Sequence, residues 1–96
     1  MRLRLSSRAQ TDIAGIVEFG VERFGEDRTK DYLDRIDKAF RQLRDYPESG
    51  RTERDLHPRA RSLSCGAHRI FYSIDDEAIT IRRILHKTAE WKRWLE

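Results

Sequence analysis

The chain has 96 residues, of which 39% are charged and 38% are hydrophobic, and its mean hydropathy is −0.83. This length suits one domain with a thin core, and no run approaches the roughly 18 apolar residues of a membrane span. The single cysteine, Cys65, excludes an intrachain disulfide, and the three scattered histidines do not have the spacing of zinc ligands.

The positive charge is unevenly distributed along the chain. The whole net charge of +3 comes from residues 51–96, which hold 10 Lys and Arg against 7 Asp and Glu. These charges are either a solvated surface or a basic face for an acidic partner or nucleic acid. The first residues lack the apolar segment of a secretory signal, and one cysteine fits a reducing compartment. We therefore expect a cytoplasmic protein that does not contact membranes.

The chain begins with a predicted strand and a predicted helix. Alternating Arg and Leu predict a strand over residues 2–5. Ser6 or Ser7 can cap the helix, Ser7 with Gln10 fits a capping box, and Gly25 is a typical helix end. The expected apolar stripe consists of Ala9, Ile13, Ile16, Val17 and Phe24. The expected polar side carries Asp12, Glu18, Glu22 and Arg23.

A second predicted helix starts at Glu26 or Asp27 and ends shortly before Pro47 and Gly50. Its apolar positions follow helical spacing and are Tyr32, Leu33, Ile36, Ala39, Phe40 and Leu43. Because the connection to the first helix is very short, the two helices should pack as an antiparallel hairpin.

The second half of the chain changes to the period of strands. After a polar loop over residues 51–60, strands are expected at 61–65, 68–74 and 78–86, separated by two tight turns. This pattern is typical of an antiparallel meander. The expected fold is therefore a single α+β domain over residues 1–96. Its order is β-α-α-β-β-β, with an antiparallel sheet, a helical hairpin on one face and a short C-terminal helical tail. The other face would keep Arg and His side chains and stay open to solvent or a partner.

The sequence has no glycine-rich phosphate loop, and the residues that could carry chemistry cluster on the predicted meander. They are Arg61, His68, Arg69, Arg83, His86 and Lys87. Such a set can be a group of solubilising charges, a protein-binding surface or a metal-free ribonuclease site in which His transfers protons. In the tail, Trp91 and Trp94 either complete the core or anchor another protein.

Several short motifs, taken in order, resemble the ParE branch of the RelE/ParE toxins. They include Ala9-x-x-Asp12-Ile13-x-x-Ile16, Tyr46-Pro47-x-x-Gly50, the run Gly66-Ala-His-Arg-Ile-Phe-Tyr72, and Ile81-Arg-Arg-Ile-Leu-His86. The resemblance covers nearly the whole chain. It implies the toxin of a type II toxin–antitoxin system, with a ParD-like antitoxin as partner and DNA gyrase as the inhibited target.

The resemblance also suggests roles for individual residues. We expect no cofactor, inhibition by binding, and contact with DNA only through the antitoxin or gyrase. The predicted target contacts are Arg61, Arg83, His86, Lys87, Trp91, Lys92 and Trp94. The predicted antitoxin contacts are Tyr32, Ile36 and Phe40 on the second helix.

The alternative is a RelE-type nuclease that cuts mRNA on the ribosome. In that branch an Arg on the second meander strand and a His near the end of the last strand perform the chemistry, which corresponds here to Arg69 and His86. The next position is Lys87, where the nearest nucleases place Tyr. In a nuclease Lys87 could serve as the proton donor or hold a phosphate, but this departure favours gyrase inhibition. A plain nucleic-acid binder is a third class, supported only by the mild basic excess.

Overall fold

A computed structural model describes residues 1–56 and 59–90. The strands are β1 (Arg2–Leu5), β2 (Arg51–Thr52), β3 (Ala60–Cys65), β4 (His68–Ile74) and β5 (Ala78–His86). The helices are α1 (Ser7–Phe24) and α2 (Glu26–Asp45), and a 3-10 turn follows at Pro47–Ser49. The predicted α+β fold and its helical hairpin are confirmed. The predicted C-terminal tail lies largely outside the described residues.

At the start of α1, one of the two predicted caps is confirmed and the predicted capping box needs correction. Ser6 caps α1, because its side-chain oxygen accepts the backbone N–H of Ala9 at 3.0 Å. The predicted capping box of Ser7 with Gln10 is wrong, since Ser7 is already the first helical residue. The side-chain nitrogen of Gln10 instead donates to the carbonyl oxygen of Leu5.

The sheet has five strands in the order β1-β5-β4-β3-β2. Strands β3, β4 and β5 form the predicted antiparallel meander. Strand β1 joins it in parallel beside β5, with Leu3 opposite Ile79, so the complete sheet is mixed. The segment predicted as a loop contains β2, which pairs with β3 through Arg51 and Thr52 only. Two residues are too few to produce a recognisable strand pattern.

The helical hairpin covers one face of the sheet and encloses the core. The residues buried between the two layers include Ala9, Ile36, Leu43, Ile70, Tyr72, Ile79, Ile81 and Ile84. Strand β5 has an irregular register opposite Phe71 and Tyr72, where Tyr72 pairs with Ile81 and Phe71 with Arg83. This bulge adds one residue to β5, so that Ile81 and Ile84 both reach the core although they are three positions apart.

The face away from the helices differs from expectation. Phe71 alternates with the core residues Ile70 and Tyr72 and therefore lies on this face, yet only 2% of it is exposed. Ser62, which pairs with Phe71, is 1% exposed. The centre of this face is thus buried, and the prediction of an open face is wrong there. Among the described residues, no helix is long and apolar enough to cross a membrane.

Candidate functional site

Three aromatic side chains meet at the end of the sheet where β4 begins and β5 ends. His68 and His86 are directly paired across the two strands, and their rings stand edge to face with centroids 5.6 Å apart. Tyr32 reaches them from α2, with its ring centroid 5.4 Å from that of His68. The meander therefore does bring two predicted candidates together, but on the side of the sheet that carries the helices.

The Tyr32 hydroxyl connects α2 to the turn between β3 and β4 through hydrogen bonds. The backbone N–H of Ala67 donates to this oxygen at 3.0 Å, and the carbonyl oxygen of Cys65 and Nδ1 of His68 lie 3.1 and 2.5 Å away. Gly66 is required at this turn because its φ is +58° and an added Cβ would lie 2.6 Å from the Tyr32 ring. Burial raises the pKa of Tyr32, so its phenol stays neutral.

The two histidines are in different environments. Burial lowers the pKa of His68, and the nearby His86 lowers it further, so His68 is neutral near pH 7. His86 is exposed, and its Nδ1 accepts the backbone N–H of Thr88 at 3.2 Å. Lys87 is also exposed, while its backbone N–H donates to the carbonyl oxygen of Ala67. His86 and Lys87 therefore present polar groups to solvent on a fixed backbone.

Arg69 lies on the opposite face of the sheet from His86. It pairs across the strands with Leu85, whereas His68 pairs with His86, and neighbouring positions of a strand point to opposite faces. The guanidinium of Arg69 donates to the Ser62 hydroxyl at 3.0 Å. Of the three residues predicted for nuclease chemistry, Arg69 and His86 are therefore separated by the thickness of the sheet, and Lys87 directly follows the end of β5.

Arg69 belongs to a polar group on that second face. The Ser62 hydroxyl and Nε of Arg51 each lie 2.8 Å from Oε1 of Glu53, which accepts both hydrogen bonds. Burial alone would raise the pKa of Glu53, but the hydrogen bonds from Arg51 and Ser62 outweigh it and leave the pKa below its usual value. These polar groups satisfy one another, which is typical of a structural network.

Two predicted target contacts have internal roles. The guanidinium of Arg61 donates to the carbonyl oxygens of Glu48 at 3.1 Å and Gly50 at 2.8 Å. Arg83 forms a two-pronged ion pair with Asp12, and the two side chains are only 13% and 12% exposed. Asp12 was expected on the polar side of α1, but Ala9, Asp12, Ile13 and Ile16 share one helical face. That spacing could have identified it as an inward residue.

The predicted antitoxin contacts lie on the face of α2 that packs against the sheet, and the predicted target contacts of the tail are not described. Tyr32 and Phe40 are half-buried and Ile36 is 3% exposed, because the sheet occupies the face of α2 that carries them. Because the sheet covers Ile36, this residue could contact an antitoxin only if the sheet and α2 moved apart. Trp91, Lys92 and Trp94 lie outside the described residues. No group of three or more His, Cys, Asp or Glu side chains within residues 1–56 and 59–90 is placed to hold a metal ion.

An apolar group at the tip of the helical hairpin was not predicted from the sequence. Phe19 is 55% exposed and Phe24, which was predicted to lie on the core stripe, is 56% exposed. Phe24 is the last residue of α1. The sequence signal was Phe19 itself, a large apolar residue off the helical stripe.

Comparisons with known proteins agree with this architecture. A family model described as "ParE toxin of type II toxin-antitoxin system, parDE" matches residues 3–91. Proteins named "Toxin ParE1" from two strains of Mycobacterium tuberculosis are 31% identical over 93 residues, covering 96% of this chain and 95% of theirs. A solved structure titled "Chromosomal ParDE TA system from P. aeruginosa" has a TM-score of 0.77 at 19% identity. That match covers 90% of this chain and 95% of the other and shows a shared fold.

Proposed function

Since the chain belongs to the ParE toxin family of type II toxin–antitoxin systems, we propose that it inhibits DNA gyrase by binding and thereby blocks replication. A ParD-like antitoxin neutralises it, and both proteins act in the cytoplasm. The observation that carries the choice of binding over catalysis is the separation of Arg69 from His86 by the sheet. A general acid or base and a phosphate-holding cation must reach the same bond to cooperate.

The nuclease alternative is weakened further by the partners of each residue. Arg69 is held by Ser62 beside the Glu53 carboxylate. A guanidinium already placed near a carboxylate is less available to an RNA phosphate than a free one. His86 and Lys87 are exposed and remain our proposed target contacts, together with Trp91, Lys92 and Trp94. Their role would be contact and charge complementarity. His86 does face His68 across the two strands, but Arg69, the cation predicted for phosphate contact, lies on the other face of the sheet.

The antitoxin proposal is supported by charge and by the thin core. The chain carries a net charge of +3, which suits an acidic partner. An antitoxin segment that folds on binding typically buries on the order of 1,000–3,000 Å². We place it along the helices, where Tyr32 and Phe40 are half-buried and can be reached from the margin of α2.

One experiment separates gyrase inhibition from mRNA cleavage. The toxin is purified as its antitoxin complex, released, and tested in a gyrase supercoiling and cleavage-complex assay and in a ribosome-dependent mRNA cleavage assay. We expect inhibition in the first assay and intact mRNA in the second. Cut mRNA with unaffected gyrase would overturn the proposal in favour of the nuclease.

A further inference from the structure

The helical hairpin ends in an exposed apolar tip, which we define as residues 18–28. Phe19, Val21 and Phe24 are 55%, 40% and 56% exposed, although large apolar side chains usually avoid water. Within the described residues, the other large apolar side chains with comparable exposure are Met1 and Tyr46. All three lie within six positions at one end of the hairpin, and Phe19 and Phe24 are in ring contact. Exposed apolar groups of this kind mark interaction surfaces.

The tip is ordered before any partner arrives. The Phe19 and Phe24 rings meet edge to face with centroids 6.2 Å apart, and the Arg23 guanidinium lies 5.2 Å from the Phe19 centroid. Gly20 allows α2 to approach closely, because a Cβ there would lie 2.7 Å from Oγ1 of Thr29. Fixed aromatic and arginine side chains lose little conformational freedom on binding, as the anchors of protein interfaces require.

The tip and the end of the sheet that carries His86 point the same way. Tyr32 of α2 contacts the turn between β3 and β4, and α2 begins six residues earlier, at Glu26. At 1.5 Å per residue, the start of α2 lies about 9 Å along the helix axis from the residue that contacts that turn. His86 and Lys87 lie beside the same turn, since Lys87 bonds to Ala67. One partner surface can therefore contact both regions.

The charges around the tip indicate what kind of partner fits it. Its four acidic residues are exposed and are Glu18, Glu22, Glu26 and Asp27. Only Arg23 and Arg28 oppose them, so the tip carries a net charge of −2 on a chain whose net charge is +3. An acidic antitoxin segment would be repelled from this rim.

From these observations we infer that the hairpin tip docks the protein that the toxin inhibits, on a surface with an apolar centre and a Lys- or Arg-rich rim. This inference rests on the proposed function, because it assigns a docking surface to the same target. Phe19 and Phe24 supply the apolar anchors, and the acidic rim speeds encounter. The antitoxin then occupies a different surface, along the helices.

The test uses two kinds of tip variant and a matched control. Phe19→Ser combined with Phe24→Ser removes the anchors, and Glu22→Lys reverses a rim charge. Tyr46→Ser removes a 69% exposed aromatic at the opposite end of α2. Each purified toxin is measured for melting temperature, antitoxin binding, inhibition of purified gyrase, and growth inhibition in cells.

We expect the double Phe variant to need about tenfold or more protein for half-inhibition of gyrase and growth, with folding and antitoxin binding retained. Glu22→Lys should slow association several-fold without altering the melting temperature. If the double variant fails to fold, the gyrase and growth assays of Glu22→Lys alone decide whether the tip docks the target. The Tyr46→Ser control should match wild type.

Three results would overturn the inference. They are full toxicity of the tip variants, loss of antitoxin binding with toxicity retained, and a wild-type dimer in solution that the double variant dissociates. Failure of the proposed function gives a different result, namely wild-type toxin that arrests growth without affecting gyrase. In that case the growth assay still decides whether the tip contacts the actual target.

Discussion

The guanidinium of Arg83 holds the carboxylate of Asp12 across 71 positions of sequence, through bonds of 2.8 and 2.9 Å. The same carboxylate accepts the backbone N–H of Ile84 at 2.8 Å. Strand β1 pairs with β5 only as far as Ile81, so Asp12 supplies an acceptor on the edge of β5 that β1 leaves uncovered. Asp12 thus joins α1 to the last strand by an ion pair and by a backbone hydrogen bond.

Replacement of Asp12 by Ala should destabilise the protein by about 3 kcal/mol, because it leaves a largely buried guanidinium and a backbone N–H without this partner. Urea unfolding measures the change. The control is Asp37→Ala, which removes an exposed i,i+4 pair with Arg41 and should cost less than about 0.5 kcal/mol. Equal effects of the two substitutions would contradict a structural role for the Asp12–Arg83 pair.

His86→Ala and Lys87→Ala should weaken toxicity by modest factors. In the proposed mechanism each substitution removes a contact with the target, and neither removes a group that transfers a proton. Removal of a general acid or base from a nuclease lowers the rate by about 10²–10⁴-fold. Growth inhibition and gyrase inhibition by the purified variants measure the effect, and Arg69→Ala serves as a comparison on the other face of the sheet. Near-complete loss in a folded His86 variant, with cut mRNA in the cells, would refute binding as the mechanism.

Stability should fall as the pH drops below about 6.5, the ordinary pKa of histidine. Burial and the neighbouring His86 lower the pKa of His68 in the folded chain. The unfolded chain therefore binds a proton more readily, and acid favours unfolding. The stabilisation is complete above the unfolded pKa and is lost as the pH falls through the folded pKa. Urea unfolding between about pH 7.5 and pH 5 measures this trend.

His68→Gln is the matched variant for the pH experiment, because its amide oxygen can still accept a hydrogen bond from Tyr32. We expect this variant to show a shallower loss of stability over the same pH range. His86→Gln should also reduce the loss, because His86 contributes to the lowered pKa of His68. An unchanged pH dependence in the His68 variant would show that other groups cause the trend.

Two glycine substitutions should change stability in opposite directions. A Cβ on Gly50 would lie 2.5 Å from the Tyr72 hydroxyl and 2.6 Å from the Ser62 carbonyl oxygen, so Gly50→Ala should cost about 1–3 kcal/mol. Gly15 lies within α1 with nothing within 4 Å of an added Cβ, so Gly15→Ala should gain about 0.5–1 kcal/mol. Thermal unfolding compares them, and destabilisation by Gly15→Ala would contradict the open space described.

Local patterns predicted most of the fold, since each helix and meander strand follows from its own periodicity and turn residues. The parallel pairing of β1 with β5 was not predicted, because nothing in residues 2–5 identifies a partner strand more than 70 positions away. The bulge could have been predicted from the spacing of Ile79, Ile81 and Ile84. The step of three between Ile81 and Ile84 breaks the two-residue alternation of a regular strand.

The candidate site was predicted less well than the fold, for a physical reason. Composition identified Arg61, Arg83 and His86 as charged or titratable, but their roles depend on which groups face them. Arg61 binds backbone carbonyls and Arg83 binds a carboxylate, and those partners lie 11 or more positions away. A single sequence shows which residues can carry charge, whereas the folded chain determines which charges are already neutralised.

The parallel pairing of β1 with β5 also has a consequence for biosynthesis. Strand β1 is made well before its neighbour at residues 78–81, so the sheet cannot close until that segment has left the ribosome. The ion pair of Asp12 with Arg83 must wait for the same segment. Folding to the complete sheet therefore follows synthesis of this segment, and ribosomes that stop before it yield a product without its closing strand. An antitoxin already present in the cell can thus meet each newly made toxin as it folds.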